Sequence, residues 1–380
     1  MMFDMLDIKQ VAHMTDRYQK LSLAGLLAAM LLTATGVHAQ PLVFRDVVGN
    51  EVTLNAQPQR IVTLPNPAAA TLIALDGSAQ RIVGMNQISR RAFEGGMMGV
   101  MFPEAATITS DILAESGGWL PNVEAIAALK PDLVIQWGRR GDDIVAPLRN
   151  AGLPVALMVG GGSGGTEALA RENMRMVAEI TGQVPKLAQL LDWRDRVMAE
   201  IGETLAKAGR VQKPRILHLR AASARLTATG RKSYQHTFIE LVGAENVAAE
   251  LGVESSVTSE QILAWKPDII LLSSADPEAL PQRVYDDPLL SRLPAAQQQR
   301  IYKTPQGGYI WDSASPENPF TWMWLANLAH PELFAFDLRQ ELRQGFRLLY
   351  DFELSDADID RILRLDVNAG ARGYQVFSSP

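Results

Sequence analysis

Cysteine is absent from this chain of 380 residues. That excludes a disulfide framework, a thiolate metal site and a lipid anchor carried on a cysteine behind a leader. Histidine is scarce. Beyond the first forty residues only His218, His236 and His330 occur, widely spread and in no ligand-spaced motif. Neutral imidazole is the commonest metal ligand, so the shortage weighs against a binder of bare Zn2+ or Mn2+. There is no basic excess either. Lys and Arg number 36 against 42 Asp and Glu, a formal charge of −6, which argues against nucleic acid as a partner. No apolar run reaches the roughly 18 residues of a membrane span. The longest, Leu21 to Leu32, is preceded by Arg17 and Lys20 and followed by Val37-His38-Ala39. This is the pattern of a secretory signal peptide, residues 1–39, cleaved after Ala39, with Met1 or Met14 as its start. Export without a lipid anchor predicts a protein free in the periplasm.

One phrase is present twice. Glu124 opens a helix-like run that ends in Lys130-Pro131-Asp132 and passes into Leu133-Val134-Ile135. Glu260 opens another that ends in Lys266-Pro267-Asp268 and passes into Ile269-Ile270-Leu271-Leu272. Each predicts a short helix stopped by proline and then a buried strand. The two copies lie too far apart for a solenoid repeat, so they imply two related α/β lobes with a cleft between them. β-α-β alternation predicts parallel-dominated, Rossmann-like sheets. Leu187, Leu190, Leu191, Val197, Ile201 and Leu205 recur at helical spacing behind Pro185, and predict one long helix between the lobes. The expected division is an N-terminal lobe over 40–183, a linking helix over 184–209, a C-terminal lobe over 210–345 and a tail over 346–380. A hairpin is expected around Gly49-Asn50, an irregular stretch from Asn86 to Pro121, and a loosely structured end after Leu365.

Two lobes, a joining helix, a leader and Glu-Ala-Ile-Ala-Ala-Leu-Lys-Pro-Asp-Leu-Val-Ile at 124–135 resemble one family. It comprises the periplasmic substrate-binding proteins of ABC importers for ferric siderophores, haem and cobalamin. The resemblance covers about Arg60 to Leu349. It implies a binding protein, not an enzyme, with no cofactor of its own. The implied ligand is an anionic metal chelate, a ferric siderophore first, with cobalamin, haem or another planar anionic cofactor as the alternative. The implied partner is an ABC permease in the inner membrane, docked through Glu124 and Glu260. A joining helix in place of flexible strands implies lobes that close only slightly.

Aromatic and arginine residues follow the strands, where open α/β sheets bind ligands. Trp137, Arg139 and Arg140 follow Leu133–Gln136, and Arg90 and Arg91 follow Met85. Arg220 ends the first strand of the second lobe, Arg231 and Tyr234 follow Thr229-Gly230, and Tyr309 and Trp311 follow Ile301-Tyr302. Guanidinium groups pair with carboxylate or catecholate oxygens and aromatic faces stack on planar ligands. These ten are the expected ligand-binding residues. Met97, Met98 and Met101 offer soft thioethers but read as flexible packing. The run Gly160 to Gly165 satisfies both a nucleophile elbow at Ser163 and a dinucleotide fingerprint. A run of glycines meets such patterns almost for free, so a secreted α/β hydrolase using Ser163 is the alternative from another class.

Overall fold

The computed structural model describes residues 40–114, 119–160, 165–223 and 225–378. The expected signal peptide and Ser163 lie outside them. A hairpin, β1 (Leu42–Arg45) and β2 (Glu51–Leu54), opens the described chain. Its turn is built by Asp46, whose carboxylate accepts from the backbone N–H of Val48 and Asn50, a local side-chain turn. The same carboxylate accepts from Leu157 N–H at 3.2 Å and ties the hairpin to the first sheet.

That sheet comprises β3 (Ile61–Thr63), β4 (Ile82–Met85), β5 (Leu133–Trp137) and β6 (Val155–Met158) in the order β4-β3-β5-β6, all parallel. The second contains β7 (Arg215–Ala221), β8 (Thr227–Thr229), β9 (Glu245–Asn246), β10 (Glu254–Ser256), β11 (Ile269–Leu272) and β12 (Ile301–Lys303). Its order is β10-β8-β7-β11-β12, with β9 beside β7; β7, β9, β11 and β12 are parallel and β8 and β10 antiparallel. Side chains alternate between faces. Ile269 and Leu271 enter one apolar core, Ile270 and Leu272 another. Strands covered on both faces read as unbroken apolar runs, which is why both repeats pass into one.

The repeated phrase folds the same way twice. Asn122 and Thr258 cap the helices Val123–Ala128 and Ser259–Trp265 by accepting from Ala125 and Gln261 N–H. Lys130 and Lys266 then turn the chain in the left-handed region, each with φ of 48°. Asp132 accepts from the N–H of Gln59 and Arg60, and Asp268 from that of Arg215. Arg60 and Arg215 in turn donate to the carbonyls of Leu129 and Trp265. Each aspartate so clasps the start of the neighbouring strand, β3 or β7.

The linking helix is Val184–Ala208, about 37 Å at 1.5 Å per residue. It buries Leu187, Leu190, Trp193, Arg194, Val197 and Ile201. Arg194 is fully buried. Its fork donates to Glu167 at 2.8 and 2.6 Å and to the carbonyl of Ser315 at 3.0 Å, and it lies 4.8 Å from the ring of Trp322. Burial pushes the Glu167 carboxyl up, but the guanidiniums of Arg194 and Arg171 outweigh it and hold it below the usual range. The lobes are also stitched directly. Gln306 donates to Ala92 O, Met97 N–H to Gly307 O, and Tyr309 to Asn66 O. Gly165 lies so close to Tyr234 that a Cβ there would sit 2.7 Å from its backbone nitrogen, a close approach that glycine permits.

Two expectations are corrected. The stretch after Asn86 holds the helices Gln87–Gly95 and Met98–Met101; its polar and glycine-rich sequence hides them. The end after Leu365 is ordered, because Asn368 pairs with both backbone groups of Lys303 and the Tyr374 ring stacks on Tyr302.

Candidate functional site

A cavity of about 270 Å3 lies between the lobes at the carboxyl ends of the strands. The first lobe supplies Asn66 after β3, Trp137 and Arg140 at and after β5, and Gly160 after β6, with Trp119 beside them. The second supplies Arg220 from β7, Thr229 from β8, Tyr234, Glu254 from β10, Ser273 after β11, and Asp312.

Arg140 packs against two indoles. Its guanidinium lies 4.9 Å from the Trp137 ring and 5.4 Å from that of Trp119, and the two indoles meet edge to face at 5.9 Å. Burial pushes this guanidinium down, and the charge of Glu254 across the cleft partly offsets that. Among the described residues, Trp137 Nε1, Arg140 Nε and Asn66 Oδ1 are buried without a hydrogen-bond partner. Buried polar groups are nearly always paired, so three orphans on one cavity wall mark where a ligand's polar atoms belong.

The opposite wall is different. Asp312 is buried, and its Oδ2 lies 3.1 Å from His218 Nε2, while His218 Nδ1 lies 3.2 Å from Thr229 Oγ1. Burial pushes the Asp312 carboxyl up, but His218, Ser273 and Arg220 outweigh it and bring it to about 2, so Asp312 is a fixed carboxylate. Arg220 Nε lies 3.8 Å from Glu254 Oε2. Tyr234 donates to Glu167 at 3.2 Å, and burial and that charge push its phenol far up, so it stays neutral. Lys303 shapes the loop after β11 by donating to the carbonyls of Ser273, Asp276 and Ala279.

Of the ten expected ligand residues, Trp137, Arg140, Arg220 and Tyr234 line the cavity. The placement of the other six is corrected. Trp311 is fully buried, donates Nε1 to Glu317 at 2.9 Å and stacks on Phe320. Burial pushes the Glu317 carboxyl up to about 7 despite the donors Tyr350 and Trp311. Tyr309 is fully buried as an inter-lobe staple. Arg90 is spent on Glu94 and the Ile108 carbonyl. Arg91, Arg139 and Arg231 are exposed and outside the cavity lining. Met97 and Met98 are core. Sequence reasoning missed Trp119, Asn66, Asp312 and Glu254; only Trp119, an aromatic just before the first repeat, carried a usable signal. Glu124 and Glu260 are exposed in the first turns of their helices, outside the cavity lining.

A more open groove of about 1110 Å3 runs between the helix Pro281–Asp286 and the C-terminal segment. None of the orphaned polar atoms lines it, so the inter-lobe cavity is the better site. Among the described residues, no group of three or more His, Asp or Glu side chains could hold a metal ion, and no helix is long and apolar enough to cross a membrane.

The periplasmic binding protein family matches residues 61–307. Over 352 residues the chain is 22% identical to the molybdate-binding protein MolA of Haemophilus influenzae, covering 87% of this chain and 97% of that protein. It is 27% identical over 277 residues to the Fe(3+) dicitrate-binding periplasmic protein FecB of Escherichia coli, covering 73% and 85%. A periplasmic solute binding protein from Veillonella parvula superposes with a TM-score of 0.77 at 28% identity, over 87% of this chain and 99% of that one. With a family match across both lobes and the repeat at its centre, the chain belongs to the periplasmic binding proteins of ABC importers, in the class III group with a helical backbone.

Proposed function

We propose that this protein captures an anionic, metal-centred ligand in the inter-lobe cleft of the periplasm and delivers it to an ABC permease without chemical change. The observation that carries this reading is the first lobe's wall: a half-buried guanidinium against two indoles, whose Nε–H, the Trp137 N–H and the Asn66 amide oxygen are buried without partners among the described residues. The two N–H donors suit carboxylate or metal-bound oxygen, and the amide oxygen suits a ligand hydroxyl. The cavity, about 270 Å3, falls just below the roughly 300–1,000 Å3 usual for ligand sites. That favours a compact chelate, such as a ferric carboxylate siderophore, over cobalamin or haem. Molybdate and ferric dicitrate, named for the two relatives, are both anionic and metal-centred. The metal arrives inside the ligand. Titrating the purified protein with ferric dicitrate, molybdate, cobalamin and haem should give saturable tryptophan quenching with the compact anions, through Trp119 and Trp137. Saturable binding of cobalamin or haem alone would overturn the size and charge argument.

Glu124 and Glu260 are the proposed permease contacts. Exposure, equivalent positions in the two repeats and distance from the cavity lining support this. Exposed ion pairs are worth about 0–1 kcal/mol singly, but pairs that lose water on docking count for more. Converting both to Arg should abolish uptake by cells and leave ligand affinity in solution unchanged. Lost affinity with intact transport would move both carboxylates into the ligand site.

A further inference from the structure

The cleft holds two carboxylates of different character. Asp312 is buried and fixed by His218. Glu254 stands on the edge strand β10, paired with β8 through Thr229, and its side chain is 51% exposed. It shares the cavity lining with Arg220 and Arg140. Its Oε2 lies 3.8 Å from Arg220 Nε of its own lobe, and its charge acts on Arg140 of the other. Arg140 makes no ion pair among the described residues, and its Nε–H is orphaned. A half-exposed glutamate can turn to solvent without burying its charge, whereas Asp312 cannot leave its partners.

We propose that the Glu254 carboxylate is a built-in, displaceable occupant of the anion position at Arg220, in the cavity that Arg140 also lines, so that an entering anionic ligand must expel it. This rests on the anionic-ligand reading above and deepens it. Glu254 lowers the positive charge that the cavity presents. It also sets a threshold. A ligand dense in negative charge repays the lost attraction, while a neutral one does not and meets a carboxylate in its place. Selectivity for charge then comes from a competitor as well as from the attractive groups.

The test uses the full chain with ferric dicitrate and molybdate as probes, read by tryptophan fluorescence and calorimetry at two salt concentrations. Glu254→Gln keeps size and removes charge at a half-exposed site. It should bind the probes about two- to tenfold more tightly than the parent, a range set by a partly screened pair near 4 Å. Its affinity should also fall more steeply with salt, because the cleft has become more positive. Unchanged or weaker binding would overturn the proposal, and weaker binding would make Glu254 a direct acceptor for a ligand donor. Arg140→Gln separates the two levels. If it weakens binding while Glu254→Gln does not strengthen it, only the competitor is wrong. If neither parent nor Glu254→Gln binds either anion, the anionic reading falls with it.

Discussion

Replacing Arg194 by methionine should lower the unfolding free energy by about 3 kcal/mol, read from urea melts. The guanidinium is wholly buried and serves three elements: Glu167 at the start of the helix Glu167–Thr181, the Ser315 carbonyl of the second lobe, and the linking helix that carries it. Removing one partner of a buried pair costs about 3–5 kcal/mol, because the other charge is stranded. The low end applies here, since Arg171 still reaches Glu167 Oε1 at 2.9 Å. Removing both charges, with Glu167→Gln added, should recover most of the loss, as neutral replacement of a buried pair often does. A single mutant within about 1 kcal/mol of the parent would show that the pin contributes little.

The second large effect concerns affinity. Arg140→Gln should weaken binding of a compact anion such as ferric dicitrate by at least roughly 2 kcal/mol, about thirtyfold, because it removes a desolvated charge-assisted donor. Trp137→Phe is the sharper experiment. It keeps an aromatic ring beside Arg140 and deletes only an N–H that has no partner among the described residues. Stability should therefore hold or rise slightly, while affinity falls by about 1–3 kcal/mol, the cost of an unpaired ligand acceptor. Calorimetry and thermal melts on the same sample separate the two readings. If stability drops and affinity stays, Trp137 is a packing residue.

What could be read from the sequence follows from how local each feature is. The Glu-plus-Lys-Pro-Asp phrase encodes a helix cap, a left-handed turn and a strand start within a dozen residues, so both copies were visible. The linking helix shows in its apolar spacing. Trp137 ends β5 and Arg140 follows it, where the end of a parallel strand itself points to the cleft. Trp311 and Tyr309 fail the same reasoning. The chain after β12 folds inward, Glu317 draws the indole into the core and the Asn66 carbonyl draws the phenol into the lobe contact. Neither partner is local in a way that spacing reveals. Asp312 and Glu254 were invisible for a related reason. Their surroundings are set by His218 and Arg220, which reach them from another strand. The ordered tail was missed because Asn368 and Tyr374 are held by Lys303 and Tyr302, far back in the chain.

The staples between the lobes bear on timing and on work. Tyr309 to Asn66, Gln306 to Ala92 and the Arg194 fork join the halves beside one continuous helix. Capture then needs no slow closing step, and encounter is governed by diffusion and by the field of the cleft arginines. Differences among ligands should appear as differences in residence time. The same rigidity leaves no sprung domain to eject the cargo. On the proposed function, the effort that empties the cleft should come from outside, from a permease that parts the lobes against these hydrogen bonds.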